Sequence, residues 1–297
     1  MKIGLIYSRV RFEEKQIIEA LQRRDIAHDL IDDREIVFNL TPQYDGAPEK
    51  YHGVKFTRPE KFQQYDVVLD RAMEFTRGLY ALQILNSWGV KTVNRADVVA
   101  TCGDKLLTTA ALSKHNVPSP RTEIAFTPEA ALAAIEAMGY PVVLKPIIGS
   151  WGRLVSKVND REAAEALLEH KATLGHFLHE IFYLQEYIKK PGRDIRIIML
   201  GAEIVSAIYR SSDHWVTNTA RGASSTPCPV DRALEKIARD AANAVGGGFL
   251  AIDVIEDETR GYLINEINPT PEFRGSETAT GADIPNKIID YLIQAAK

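Results

Sequence analysis

Phe249-Leu-Ala-Ile-Asp253-Val-Ile-Glu-Asp257, Glu258-Thr-Arg-Gly261 and Tyr262-Leu-Ile-Asn-Glu266-Ile-Asn268 follow one another without a break. Two apolar runs flank a short polar turn that ends in glycine, which is the pattern of a β-hairpin. With the turn centred on Thr259 and Arg260, Asp253 falls directly opposite Glu266. Side chains alternate faces along a strand, so Asn268 shares the face of Glu266. Two carboxylates and an amide oxygen then converge on one patch. Such hard oxygen donors suit Mg²⁺, which binds through one or two carboxylates together with substrate phosphates. The hairpin therefore predicts a site for a nucleoside triphosphate. The alternative is a hairpin with solvated acids, because a one-residue error in the turn turns one strand over.

The rest of the chain sets bounds on that reading. Its 297 residues suffice for two or three modules with substantial cores. With 45% hydrophobic and 26% charged residues, the composition is that of an ordinary globular protein. A formal net charge of −4 gives no support for nucleic-acid binding. No apolar run reaches the length of a membrane span. The opening Met1-Lys-Ile-Gly-Leu-Ile-Tyr7 reads as a first strand, not as a signal peptide. Cys102 and Cys228 lack metal-like spacing and read as reduced thiols of a cytoplasmic protein. The histidines form no ligand set; His176 and His179 could share a helix face but read as packing or surface residues.

Residues 1–95 alternate strand and helix patterns: strands at 3–7, 29–32, 66–70 and 92–94, helices at 13–24 and 72–88. In the first helix Ile17, Ile18 and Leu21 are spaced for one face. This predicts a small doubly wound α/β module, with the Pro/Gly/Tyr-rich stretch 41–59 as a loop insertion. Residues 96–188 form a second module. Its helix at 106–115 is capped by Asp104, and its helix at 128–138 starts at Pro128 and leaves through Gly139. Strands follow at 141–145, 154–158 and 183–188, with a glycine-rich turn at 149–152 and a helix at 161–170. Residues 189–297 form the third module: strands at 194–200 and 203–209, a polar loop at 211–225, an amphipathic helix at 231–245, the hairpin, and a closing helix at 283–296. Gly246-Gly-Gly248 reads as a helix exit turning into a strand. The fold class is α/β, an N-terminal doubly wound domain followed by α+β modules.

Several residues could carry chemistry. Lys145 ends an apolar strand and is followed at once by the glycine loop, where backbone can approach phosphate oxygens and a lysine can neutralise them. Lys105 could supply a second positive charge. Either lysine alone reads as a surface residue; the acidic hairpin gives the pair its meaning. Gln185-Glu186-Tyr187-Ile188 leaves a strand towards a Pro-Gly turn and offers a backbone N–H and C=O that could read an adenine edge. Arg193, Arg196, Arg210, Arg221 and Arg274 surround the polar loop, and arginine binds carboxylate or phosphate in bidentate fashion. Their bland reading is surface ion pairs. His214 is a weaker candidate as proton acceptor. There is no Gly-x-Ser-x-Gly elbow, no Cys/His protease pattern, no Walker loop and no Gly-x-Gly-x-x-Gly after the first strand.

Taken in order, Asp104-Lys105, Val143-Leu-Lys145-Pro146, Gln185-Glu-Tyr-Ile188, Asp253 and Glu266-Ile-Asn268 resemble the ATP-grasp superfamily over roughly residues 95–297. The first module fits the α/β domain that precedes it. Longer stretches resemble the RimK-like ligases and, within them, the LysX/ArgX group that joins α-aminoadipate or glutamate to an amino-group carrier protein. These are Lys145-Pro-Ile-Ile-Gly-Ser-Trp-Gly-Arg153, Gln185-Glu-Tyr-Ile-Lys-Lys-Pro-Gly-Arg-Asp-Ile-Arg196, Ala207-Ile-Tyr-Arg210, His214-Trp-Val-Thr-Asn-Thr-Ala-Arg-Gly222 and Asn265-Glu-Ile-Asn-Pro-Thr-Pro-Glu-Phe273.

The resemblance implies a role for each matching position. Lys105 and Lys145 contact ATP phosphates, under a flap holding Ser150, Trp151 and Gly152. Glu186 and Ile188 frame the adenine, and Asp194 sits near the ribose. Asp253, Glu266 and Asn268 hold two Mg²⁺ ions. Arg210, Trp215, Asn218 and Arg221 hold the acyl phosphate and the incoming amino acid, with Lys145, Arg210 and Asn218 acting on the reacting groups. Thr270, Glu272 and Phe273 border the amino-acid pocket. The stretch 268–276 departs from the LysX wording, which leaves α-aminoadipate or glutamate open. The implied partner is a small acidic carrier protein, docked on candidates such as Arg9, Arg11 and Lys15, and the implied assembly is a dimer or tetramer in the cytoplasm. A RimK-type ligase adding glutamate to another protein's tail, and a nucleotide-responsive scaffold, are the competing readings.

Overall fold

The structure is a computed structural model, and it describes residues 1–41, 50–51, 54–149, 152–175, 177–217 and 222–297. The strands Lys2–Tyr7, Ala27–Asp32, Val67–Arg71 and Thr92–Val93 build a parallel sheet in which Lys2–Tyr7 lies between Ala27–Asp32 and Val67–Arg71. Every residue of Val67–Arg71 is buried, as befits a parallel strand covered on both faces. Helices Phe12–Arg23 and Phe75–Ser87 supply those covers. The expected loop at 41–59 needs a correction. Lys50–Tyr51 and Val54–Thr57 join Ile36–Phe38 in a small sheet. The alternating Val-Lys-Phe-Thr carries enough β propensity to pair despite its Pro- and Gly-rich surroundings.

The central sheet is antiparallel, ordered Ser156–Val158, Val142–Lys145, Phe182–Glu186, Thr122–Ala125. Helices Pro128–Met138 and Arg161–Leu174 cover one face, around a core of Ala131, Ile135, Leu144, Leu168, Phe182 and Leu184. The C-terminal sheet is also antiparallel, ordered Ser224–Pro227, Glu203–Ser211, Arg193–Leu200, Phe249–Asp257, Gly261–Asn268. Its apolar residues alternate between two cores. Ile195, Ile197, Ile252, Ile264 and Ile267 pack under helix Arg232–Ala244. Ile198, Leu200 and Phe249 pack with Ile3, Leu5 and Ile17 of the first domain and Ile288 of the last helix, Ile284–Ala296. Helices Ala96–Gly103 and Arg274–Thr280 add to the expected set, and Ser224–Pro227 forms a strand at the end of the expected polar loop. That strand is legible only through its partner, since Ser-Ser-Thr-Pro has no apolar alternation.

Asn94 ties the first domain to the C-terminal sheet. Its side-chain oxygen accepts from the Phe249 N–H at 2.6 Å, and its amide nitrogen donates to the carbonyls of Phe249 at 2.8 Å and Pro269 at 2.6 Å. Gly248 makes room for it. The φ of Gly248 is +123°, and a Cβ there would stand 2.2 Å from the Asn94 oxygen. Among the described residues, no helix is long and apolar enough to cross a membrane.

Candidate active site

The hairpin brings Asp253 opposite Glu266. It does so by a route the sequence hides. At the tip the pairs are Asp257 with Gly261 through Val254 with Ile264, which centres the turn on Thr259, half a residue from the expected position. The register then shifts between Val254 and Asp253, leaving Asn265 as a β-bulge. The bulge lets Asn265 and Glu266 both face a cleft while Ile264 and Ile267 both remain in the core.

That cleft, between the central and C-terminal sheets, is the meeting place of the candidate residues. Lys105, Lys145, Gly152, Glu186, Ile188, Asp194, Arg210, Trp215, Asp253 and Glu266 all line it. Asp104 accepts from the N–H groups of Leu106 and Leu107, fixing the helix start that carries Lys105. The Lys105 ammonium donates to the Gly149 carbonyl at 2.8 Å and lies 3.4 Å from Glu266. Lys145 is buried and donates to the side-chain oxygen of Asn265 at 2.9 Å. Burial pushes its pKa down to about 8, helped by the nearby Lys105 charge and opposed by Glu266.

Beneath the lysines lies an ionic network. Arg196 grips Asp253 with two bonds of 2.8 Å. Arg210 grips Asp194 at 2.7 and 2.9 Å and reaches Asp253 at 3.0 Å. Thr217 donates to Asp194 at 2.5 Å and accepts from Lys190 at 2.6 Å. Burial would raise the pKa of Asp253, yet the two guanidinium groups hold it well below the usual carboxylate range. Nη1 of Arg210 is buried without a hydrogen-bond partner among the described residues.

At the far end, Ile188 packs with Ile255 and Leu263, and Val143 completes an apolar wall. The Tyr187 ring lies edge-on to Trp215 at 6.1 Å and under the Lys157 ammonium at 3.8 Å. The Glu186 N–H is already bonded to the Arg121 carbonyl at 2.9 Å. Its carboxylate accepts from the Arg121 N–H and from Arg260.

The structure does not bring every expected residue to the cleft. Phe273 is fully buried between Phe12 and Phe249, so its side chain belongs to the core. Glu272 faces away from the cleft lining and pairs with Arg11 at 2.8 Å, which also engages that candidate docking arginine. Thr270 is half-buried and outside the lining. Ser150, Trp151, Asn218 and Arg221 lie outside the described residues. Conversely, Asn265, Lys190 and Thr217 were not singled out by sequence reasoning; the first is signalled only by the bulge.

Asp253, Glu266 and Asn268 supply two carboxylates and an amide on one face of the hairpin, and the amide nitrogen of Asn268 is buried and unpartnered. Among the described residues no three His, Cys, Asp or Glu side chains gather as a metal cluster. Hard oxygen donors of this kind suit Mg²⁺; in this structure both oxygens of Asp253 are held by Arg196 and Arg210.

Two antiparallel sheets closing on such a cleft, behind a parallel α/β domain, define an ATP-grasp carboxylate–amine ligase, a class that uses ATP and Mg²⁺. The RimK-like ATP-grasp domain matches residues 102–292, and the LysX preATP-grasp domain matches residues 3–55 and 49–101. The chain belongs to the RimK-like family of ATP-grasp ligases, with a LysX-type N-terminal domain. It is 35% identical over 296 residues to the glutamate–LysW ligase ArgX of Sulfolobus acidocaldarius, covering 98% of both chains. It is also 35% identical over 295 residues to the α-aminoadipate–LysW ligase LysX of Sulfurisphaera tokodaii, covering 99% of this chain and 97% of that one. The RimK domain ATP-grasp protein of Sphaerobacter thermophilus superposes with a TM-score of 0.77 at 26% identity, over 99% of this chain and all of that one. D-alanine–D-alanine ligase of Bacillus anthracis, at 16% identity and a TM-score of 0.70 over 100% and 97% of the two chains, shares the fold.

Proposed function

We propose that the protein joins the α-amino group of α-aminoadipate or glutamate to the C-terminal glutamate of an amino-group carrier protein of the LysW kind, in lysine or arginine biosynthesis. The relatives at 35% identity along nearly the whole chain are ligases of that carrier, and the first domain is of their type. The observation that carries the catalytic reading is the pairing of Asp253 with Glu266 beneath Lys105 and Lys145.

The reaction runs in two steps. A carboxylate oxygen of the acceptor attacks the γ-phosphorus of ATP, forming an acyl phosphate and releasing ADP. The amine of the amino acid then attacks the acyl carbon, losing a proton, and phosphate leaves. Asp253, Glu266 and Asn268 would hold Mg²⁺, two ions in this reading, which would supply positive charge against the transferring phosphoryl group. Lys105 and Lys145 bind the phosphates from the other side. Val143, Ile188 and Ile255 enclose the adenine. Arg210, fixed by Asp194, places its positive charge at the acyl-phosphate end and steadies the oxyanion as the amine adds. Trp215, Asn218 and Arg221 complete that end, and Ser150, Trp151 and Gly152 cover the phosphates and exclude water, which would hydrolyse the acyl phosphate. No side-chain nucleophile is needed.

The test is ADP release by the purified protein with a LysW-type carrier, Mg·ATP and one amino acid at a time, with the intact mass of the carrier measured. A mass gain with α-aminoadipate alone assigns lysine biosynthesis, and one with glutamate alone assigns arginine biosynthesis. No gain on the carrier, with ADP release on another protein's tail, overturns the carrier reading.

A further inference from the structure

The extra residue in strand Gly261–Asn268 does nothing for the pattern of the strand. Ile264 and Ile267 are both core residues, and Asn265 and Glu266 both face the cleft. Take Asn265 away, and Ile264, Glu266 and Ile267 alternate core, cleft, core as an unbroken strand requires. Asp253 still stands opposite Glu266, because Val254 already pairs with Ile264. The bulge therefore adds one cleft-facing group and leaves the metal-facing acids where they were.

That one group is given to Lys145. Its side-chain oxygen accepts from the Lys145 ammonium at 2.9 Å, across the space between the two sheets. Lys145 is buried at the end of Val142–Lys145, where its four-carbon stem has several rotamers and burial disfavours its charge. A fixed oxygen acceptor selects one rotamer and offsets part of that cost. Bulges recur beside active sites because they re-aim a side chain.

We propose that Asn265 is a positioning residue, and that the bulge serves to hold the Lys145 ammonium at the phosphate end of the cleft. The inference rests on the nucleotide reading above. It is tested on the full-length protein by titration calorimetry with the ATP analogue AMPPNP in Mg²⁺, alongside melting temperature and the KM for the amino acid. The variants are Asn265→Leu, deletion of Asn265, and Asn265→Asp, which keeps an oxygen acceptor. The leucine and deletion variants weaken AMPPNP about tenfold, the scale of one lost hydrogen bond to a charged group, with melting and amino-acid KM unchanged. The aspartate variant stays within about threefold of the parent. Parent-like AMPPNP affinity in the leucine variant overturns the proposal. So does a deletion that fails to fold, which would show that the strand needs the bulge for itself, and so does an equal loss in amino-acid KM. If the parent protein itself binds no AMPPNP, the nucleotide reading falls first, before any variant is made.

Discussion

Arg71 donates to the carbonyl of Pro271 at 2.9 Å from a position fully buried in the first domain. The same guanidinium bonds Glu14 at 3.0 Å, and that carboxylate is also fully buried. Beside it, Glu13 accepts from the N–H groups of Phe273 and Arg274, and Asn94 holds Pro269. The segment that follows Asn268 is thus fastened by the first domain at each step. Removing the Arg71 side chain leaves Glu14 with Arg11 as its cationic partner among the described residues, and breaking a buried pair costs about 3–5 kcal/mol. Arg71→Ala is expected to lose stability on that scale in urea unfolding; a loss under about 1 kcal/mol would show that the pair carries little.

Glu266→Ala removes one of the paired acids from a half-exposed position and leaves both cores untouched. Ligation should fall by at least about 10³-fold, the size seen when a transition-state electrostatic partner is lost, with circular dichroism and melting unchanged. Retained ligation would sink the metal assignment.

Phosphate binding favours the ammonium form of Lys145, and in the free protein that group loses its proton around pH 8. Below pH 8 the charge is already present, and nucleotide affinity is flat with respect to this group. Above pH 8 each binding event must take up a proton, so affinity falls as pH rises, by up to about tenfold per pH unit. Calorimetric ADP titrations from pH 6.5 to 9.5, in buffers of different ionisation heat, should show this slope in the parent and its loss in Lys145→Met. A slope shared by both assigns the proton elsewhere.

Gly248→Ala is expected to destabilise by about 2–4 kcal/mol. The left-handed φ disfavours any side chain, and the new methyl would meet the Asn94 oxygen at 2.2 Å. Gly89→Ala, at a φ of +75° with open space around it, isolates the backbone cost. The difference between the two, read from chemical denaturation, is the contribution of the Asn94 contact; equal losses would show there is none.

That Asp253 and Glu266 stand opposite each other was legible because an apolar alternation on both sides of a Gly-terminated turn allows few registers. The expected turn centre and the true one differ, and the bulge at Asn265 compensates, so Asp253 meets Glu266 either way. The bulge itself leaves no trace in one sequence, since Asn and Glu are equally at home on a polar face. Ser224–Pro227 was hidden for the opposite reason: its pairing with Glu203–Ser211 is carried by backbone, which any sequence supplies. Phe273 follows strand Gly261–Asn268 in sequence, and only the tertiary packing of Phe12 and Phe249 shows that it turns inward. The grip of Arg196 on Asp253 was likewise out of reach, because it depends on cross-strand register between Arg193–Leu200 and Phe249–Asp257.

The Asn94 tie has a mechanical consequence. The first domain and the C-terminal sheet share one core, whereas the central sheet keeps a core of its own. The paired acids and the segment after Asn268 belong to the part packed on the first domain, and Lys145 belongs to the part whose core is separate.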